Sequence, residues 1–491
     1  MTAREAALEV LIRVEQDGAY SNLLLNQTLQ KAGLERNDSG LATELVYGAI
    51  QRRNTLDYYI SLFVSKGASR LEPWVRALLR LSVYQLVYLD RIPAHAAVNE
   101  AVAIAKRRGH AGISGMINAV LRSMIREPER LRLPEQGSAA SRLALEFSHP
   151  EWLVARWLKQ FGEAATADMC RANNEPPHVS LRVNRLRTSR EALLAELAAG
   201  GYDARPSEVA PAGIIVRGGG NMALTDGYRS GVFSIQDESS MLVAEAVAPE
   251  KGMLVLDCCA APGGKTVHMA ELMNNQGTIY AVDQHEHKRQ LIDAQADRLG
   301  LACITSATAD ARHLAGRFPE ASFDRVLLDA PCSGLGVIRR KPDVKWTKTP
   351  EEITALAALQ RELLESAAPL VKPGGVLVYS TCTVEPLENS GQVEAFLKRH
   401  PEFAPDPLPA ALYRLPAQGP NRLQGGSSLD GGQRAAGGAS VSGTSVSRAA
   451  PAATEAEAEL HSACLQILPH HYGTDGFFIA RMRRKAEYDK I

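Results

Sequence analysis

Three domains of different class are predicted by this multidomain sequence: an all-α N-terminal domain over residues 1–130, a small α+β domain over 150–247, and an α/β, doubly wound, Rossmann-like domain over 248–491. Three observations lead there. Apolar residues recur at helical spacing without a strand-like run up to about residue 130, short alternating runs then mix with helical ones, and beyond Met253 apolar strands and helical stretches take turns. A chain of 491 residues is long enough for each such domain to bury its own core.

In the first domain Ala7, Leu8, Leu11 and Val14 make one apolar stripe, and Leu41, Leu45, Val46 and Ile50 a second. Leu78, Leu79, Leu81, Leu86 and Val87 make a third with nearly all-round burial, and Pro73 stands where a first helical turn tolerates proline. Residues 1–130 carry 17 Lys and Arg against 13 Asp and Glu, with clusters at Arg52-Arg53 and Lys106-Arg107-Arg108. Such clusters either contact phosphates or are solvated helix ends, and the excess alone does not decide between them. The order of Ala-Thr-Glu-Leu-Val-Tyr-Gly at 42–48, the apolar helix at 78–89, Ile92 to Glu100 and Gly115 to Arg122 resembles the NusB-like RNA-binding domain. That resemblance implies an RNA contact; the alternative is a helical surface for docking proteins.

The middle segment mixes helical stretches, Leu153 to Phe161 and Glu191 to Leu197, with short strands at 179–184, 213–216 and 232–235. Arg182 and Asn184 would point outward from such a strand, where they could touch RNA or simply meet water. In the last domain strands are expected at 253–257, 278–283, 304–308, 324–329, 375–380 and 476–482, which predicts a parallel sheet. Asp257, Asp283, Asp310 and Asp329 then fall at or just past strand ends on one rim, the place where α/β sheets bind ligands. The tract at 416–459 is rich in Gly, Ser and Ala and too poor in large apolar residues to repay ordering, so a disordered insertion is expected.

The loop after the first of these strands, Cys259-Ala260-Ala261-Pro262-Gly263-Gly264-Lys265-Thr266, turns sharply at its glycines into a helix. Asp283, closing the next strand, is where an acid commonly holds ribose hydroxyls, which implies a nucleoside cofactor. The loop lacks both the Gly-x-Gly-x-x-Gly cradle and the full phosphate-binding P-loop, having only the latter's end, Gly264-Lys265-Thr266. A cofactor without a pyrophosphate fits, and S-adenosylmethionine is one.

Two cysteines open onto the same rim, in Asp329-Ala330-Pro331-Cys332-Ser333-Gly334 and in Ser380-Thr381-Cys382-Thr383. A thiol beside a methyl donor suits methylation at C5 of a pyrimidine, a poor nucleophile while its ring is aromatic. A thiolate adding at C6 moves electron density onto C5, an acid near N3 assists, and a base later removes the C5 proton so that the thiol can leave. On this chemistry alone either cysteine could be the nucleophile. A base in paired RNA hides C6, so the target must be unpaired or unstacked, and Arg339, Arg340, Lys341, Lys345 and Trp346 could grip its phosphates and stack on a base, the alternative being a charged loop that is merely solvated.

These three motifs, with the run on to Val384-Glu385, resemble the bacterial RNA cytosine-C5 methyltransferases, and the likeness covers nearly the whole chain except the insertion. It implies an S-adenosylmethionine-dependent methyltransferase domain acting on 16S ribosomal RNA. Cys382 is then the nucleophile and Cys332 assists product release. Cys259, Ala260, Ala261, Pro262, Gly263, Gly264, Lys265, Asp283, Asp310 and Asp329 would hold the cofactor, with Asp329 also catalytic and close to the base. A tRNA methyltransferase with the same chemistry and a non-catalytic RNA-binding assembly factor are the alternatives.

The formal net charge is zero, so any basic surface is local. Seven cysteines without a Cys-x-x-Cys pair suggest reduced thiols and no metal. With no signal-like start and no run of eighteen apolar residues, a cytoplasmic protein that does not enter membranes is expected; a monomer is a separate expectation on which these features do not bear.

Overall fold

The computed structural model describes residues 1–18, 20–65, 67–410, 412 and 455–486, so the expected disordered insertion falls mostly outside the described residues. Its last residues, from 455, begin a helix, Glu455–Ala463. The chain divides into two compact units, Met1–Pro177 with Val337–Pro350, and His178–Gly336 with Glu351–Ile491.

The first unit contains the helices α1 (Ala3–Asp17), α2 (Ser21–Ala32), α3 (Arg36–Gln51), α4 (Arg53–Ser61), α5 (Pro73–Tyr88), α6 (Ala94–Arg108), α7 (Ala111–Arg126), α8 (Ala139–Glu146) and α9 (Glu151–Ala172). The stripes read from the sequence meet in one core, with Leu8, Leu45, Leu78 and Leu81 buried together. Helix α1 starts with a capping box in which the Thr2 hydroxyl accepts from the Glu5 amide while the Glu5 carboxylate accepts from the Thr2 amide. The basic clusters are partly spent on surface ion pairs within this unit: Arg107 and Arg108 pair with Glu5 and Glu9 at 2.7 and 2.8 Å. Helix α9, expected with the middle segment, belongs to this unit.

The excursion Val337–Pro350 closes this unit. The last carbonyls of a helix have no partner within it, and here the excursion supplies donors. Trp346 Nε1 donates to Ile50 O at 2.7 Å and Lys345 Nζ to Gln51 O at 3.0 Å, both at the end of α3, while Arg339 Nε donates to Ala172 O at 2.9 Å at the end of α9. Lys345 is fully buried, and that burial pulls its pKa well below the ordinary lysine value. Arg339 and Lys345 are therefore buried helix-closing groups instead of the RNA-gripping ones expected, and the Trp346 ring nitrogen is likewise engaged.

The second unit opens with β1 (Val179–Val183), α10 (Arg190–Ala199), β2 (Asp203–Pro206), β3 (Gly213–Arg217) and β4 (Phe233–Ile235), an antiparallel sheet in the order β2-β3-β1-β4. Leu181, Val183, Leu193, Ile214 and Phe233 form its core. Arg182 and Asn184, expected to face outward, are both fully buried.

Next come α11 (Glu238–Val247), β5 (Leu254–Asp257), α12 (Gly264–Leu272), β6 (Thr278–Asp283), α13 (Glu286–Leu299), β7 (Ile304–Thr308), β8 (Phe323–Asp329), α14 (Pro350–Ala367), β9 (Val371–Thr381), α15 (Ser390–Arg399), β10 (Phe403–Pro405), α16 (Glu455–Ala463), β11 (Cys464–Ile467) and β12 (Phe477–Arg484). The strands lie in the order β10-β12-β9-β8-β5-β6-β7, with β11 also beside β12. Both sheet faces are apolar: Val255, Leu327 and Val378 belong to one core and Leu256, Val326 and Leu377 to the other. The sheet is mixed, since β12 pairs antiparallel with β9, where a parallel strand was expected. A parallel neighbour needs a crossover of a dozen or more residues, whereas residues 468–476 return the chain from β11 directly to its antiparallel partner β12.

Candidate active site

From β5 the chain runs outward to β6 and β7 on one side and, later, to β8 and β9 on the other, so the order reverses between β5 and β8. Asp257, Asp283 and Asp329 end β5, β6 and β8, and Asp310 stands two residues past β7. The four carboxylates thus share the rim expected of them.

The loop leaving β5 enters α12 through Gly263 at φ 102°, a conformation L side chains rarely adopt. A Cβ there would also stand 3.2 Å from Ile292 Cα, so the turn is tight against α13. A cavity of about 240 Å³ opens here, lined by Cys258, Cys259, Asp283, Lys288, Asp310 and Pro331 among others. One Asp283 oxygen accepts the His285 amide at 3.1 Å. Arg312 holds the Asp310 carboxylate at 2.6 Å and keeps its pKa down at about 2. Burial pushes the Cys259 thiol far up, so it lines the cavity as a neutral group. Acids past β6 and β7 beside a tight glycine turn suit a nucleoside, and no phosphate cradle is built into the loop.

The remaining loop residues have other places. Ala260, Ala261, Pro262, Gly263 and Gly264 form the turn itself. Lys265 Nζ donates to Asp329 Oδ2 at 2.7 Å, and Ser380 Oγ donates to Asp329 Oδ1 at 2.8 Å. Burial alone would lower the pKa of Lys265, but Asp329, helped by Cys382 and Asp257, outweighs it and keeps the ammonium charged. Asp257 accepts Thr266 Oγ1 at 2.7 Å, and burial raises its pKa to about 7.

The two cysteines converge. Cys332 Sγ lies 3.3 Å from Cys382 Sγ, and both residues are partly exposed. The contact with Cys382 and then burial push the Cys332 thiol well above its ordinary pKa. Cys332 therefore stays protonated and can donate to a thiolate on Cys382.

Both cysteine loops are braced from behind by groups the sequence reading did not single out. Glu388 Oε2 accepts the Ser333 amide at 2.8 Å and Gln360 Nε2 at 3.0 Å, and Gln360 also donates to Pro331 O at 2.9 Å. Tyr379 Oη donates to Glu388 O at 2.6 Å. Gly336 N donates to Cys382 O at 3.0 Å, and Gly476 N to Gly336 O at 2.8 Å. The signal for Glu388 was its place in the polar run after Cys382, but its partners lie 28 and 55 residues away in sequence.

Among the described residues no group of three or more His, Cys, Asp or Glu side chains is placed to hold a metal, and no helix is long and apolar enough to cross a membrane. Residues 244–483 match the family model described as 16S rRNA methyltransferase RsmB/F, residues 1–126 match the NusB family, and residues 149–223 match the ferredoxin-like domain of RsmF/B-like methyltransferases. The chain is 44% identical over 486 residues to the probable ribosomal RNA small subunit methyltransferase B of Bacillus subtilis, covering 99% of each. It is 35% identical over 486 residues to the protein of that name in Synechocystis, covering 99% of this chain and 100% of the other. A solved structure described as the crystal structure of PH0851 superposes with a TM-score of 0.76 at 28% identity over 98% of both chains.

Proposed function

This chain belongs to the RsmB/F family of 16S rRNA methyltransferases, and from that premise we propose that it methylates C5 of a cytosine in 16S ribosomal RNA, using S-adenosylmethionine and a covalent adduct at C6. The observation that carries the reading is the pair of sulfurs 3.3 Å apart beside the Asp329–Lys265 pair.

Cys382 acts as the nucleophile: its thiolate forms a bond to C6, and the ring's electron pair moves onto C5. The Cys332 S–H, held protonated, steadies the Cys382 thiolate before attack. Lys265 and Asp329 together hold a proton next to the thiols, where N3 can take it as charge develops on the ring. When bound, S-adenosylmethionine supplies an electrophilic methyl group to C5. Cys332 then serves release. Having passed its own proton to the Lys265–Asp329 pair, which the donation to N3 leaves one proton short, the Cys332 thiolate takes the C5 proton while the C6–sulfur bond breaks, the C5–C6 double bond re-forms and Cys382 leaves as thiolate. Asp283, at the end of β6, is the residue suited to a ribose hydroxyl.

A tRNA target would use the same residues; the names of the relatives favour ribosomal RNA. Bisulfite sequencing of 16S and transfer RNA from a strain lacking the gene tests this. One 16S cytosine should lose its methyl group, and a loss confined to transfer RNA would overturn the assignment.

A further inference from the structure

Arg182 lies on β1 of the small antiparallel sheet, far in sequence from the rim, yet its side chain is fully buried. Its Nε and Nη2 donate to Glu271 Oε2 and Oε1 at 3.2 and 2.8 Å. Its Nη1 donates to Gly264 O at 2.9 Å and to the side-chain oxygen of Gln236. Gly264 and Glu271 are seven residues apart and so share one face of α12, with Gly264 in the first turn, where the cofactor loop becomes helix. One guanidinium thus spans the helix lengthwise.

An ion pair with Glu271 alone would suffice to bury the charge. The extra donor on Gly264 does something different: it holds the loop's exit from one flank, while Ile292 stands against Gly263 on the other. We propose that Arg182 is a positioning residue for the cofactor loop, so that the small sheet is part of the S-adenosylmethionine site and not solely an RNA-facing module. The inference rests on the reading of that cavity as the cofactor's.

Arg182→Lys separates the two roles. An ammonium can still meet Glu271, preserving charge balance, but it lacks the planar fork needed to reach Gly264 O at the same time. Losing one charge-assisted hydrogen bond to the loop corresponds to roughly ten-fold weaker cofactor binding. The expected result is a Kd for S-adenosylmethionine, and a KM, about ten-fold higher, with kcat at saturating cofactor within about two-fold. Gln236→Leu leaves the ion pair whole and removes the acceptor that aims Nη1, so it should move Kd the same way by a smaller factor even if Arg182→Lys does not fold. Binding is measured on the full chain by calorimetry below the melting temperature, which is recorded alongside. If the wild type binds S-adenosylmethionine and the folded variants bind it equally well, the positioning role is refuted. If the wild type itself does not bind, the cofactor reading fails first.

Discussion

Replacing Gly336 by Ala puts one methyl group into a tight backbone crossing beside the Cys332 and Cys382 loops. The added Cβ would lie 2.0 Å from Gly476 O, 2.7 Å from Gly476 C and 2.8 Å from Cys382 O, all backbone atoms that no rotamer change can move aside. Ordinary contact is near ~3.4 Å, so Gly336 and the segments bearing Cys382 and Gly476 must part by roughly 1.4 Å. That movement breaks the Gly336–Cys382 and Gly476–Gly336 hydrogen bonds, of 3.0 and 2.8 Å. The two lost bonds cost about 1–3 kcal/mol together, and overpacking about as much again. A displacement of about 1 Å in a reacting group is enough for a roughly hundred-fold loss of rate. Gly336→Ala should therefore lower kcat for methyl transfer from labelled cofactor by at least about a hundred-fold while the far-ultraviolet circular dichroism stays native. A variant within two-fold of wild type would refute the idea that this crossing sets the position of Cys382.

Three more outcomes are expected. Cys382→Ala abolishes methylation but leaves the calorimetric affinity for S-adenosylmethionine within about two-fold, because the cavity is lined by other residues; normal turnover would remove Cys382 from the mechanism. Cys332→Ala traps the enzyme on its RNA, seen as a slowly migrating band on a denaturing gel that Cys382→Ala does not give; no band means Cys332 has another task. Lys345→Met changes the response to pH. Since burial holds the folded-state pKa of Lys345 below its unfolded value of ~10.4, the unfolded chain binds more protons between those two values, and stability rises with pH there by up to about 1.4 kcal/mol per unit. Melting temperatures from pH 7 to 9 should climb more steeply in the wild type than in Lys345→Met, and parallel curves would contradict a buried neutral amine.

Much of the catalytic unit was legible from residue order because its strands are short, apolar and closed by acids: β6 and β7 match the expected ranges end for end. The direction of β12 was not legible, since a strand buried on both faces reads the same in either sense. Buried charge was the other blind spot. Arg182 and Lys345 look like surface residues until carbonyls and carboxylates from distant segments are brought to them. The thiols were singled out because the proposed chemistry calls for them, whereas Glu388, Gln360 and the Gly336–Gly476 crossing hold the cysteine loops through partners distant in sequence, which leaves no chemical signature.

The excursion Val337–Pro350 also bears on how the polypeptide is made. Ribosomes deliver residues 1–177 first, but the side chains that finish the ends of α3 and α9 follow 160 residues or more after Pro177. At about 5–20 residues per second that is a wait of roughly 8–32 s. During that interval the nascent helical half carries open carbonyls and a gap where Lys345 and Trp346 will sit. Cutting the gene after codon 177 would make that interval permanent, leaving the ends of α3 and α9 without the donors that residues 339, 345 and 346 bring.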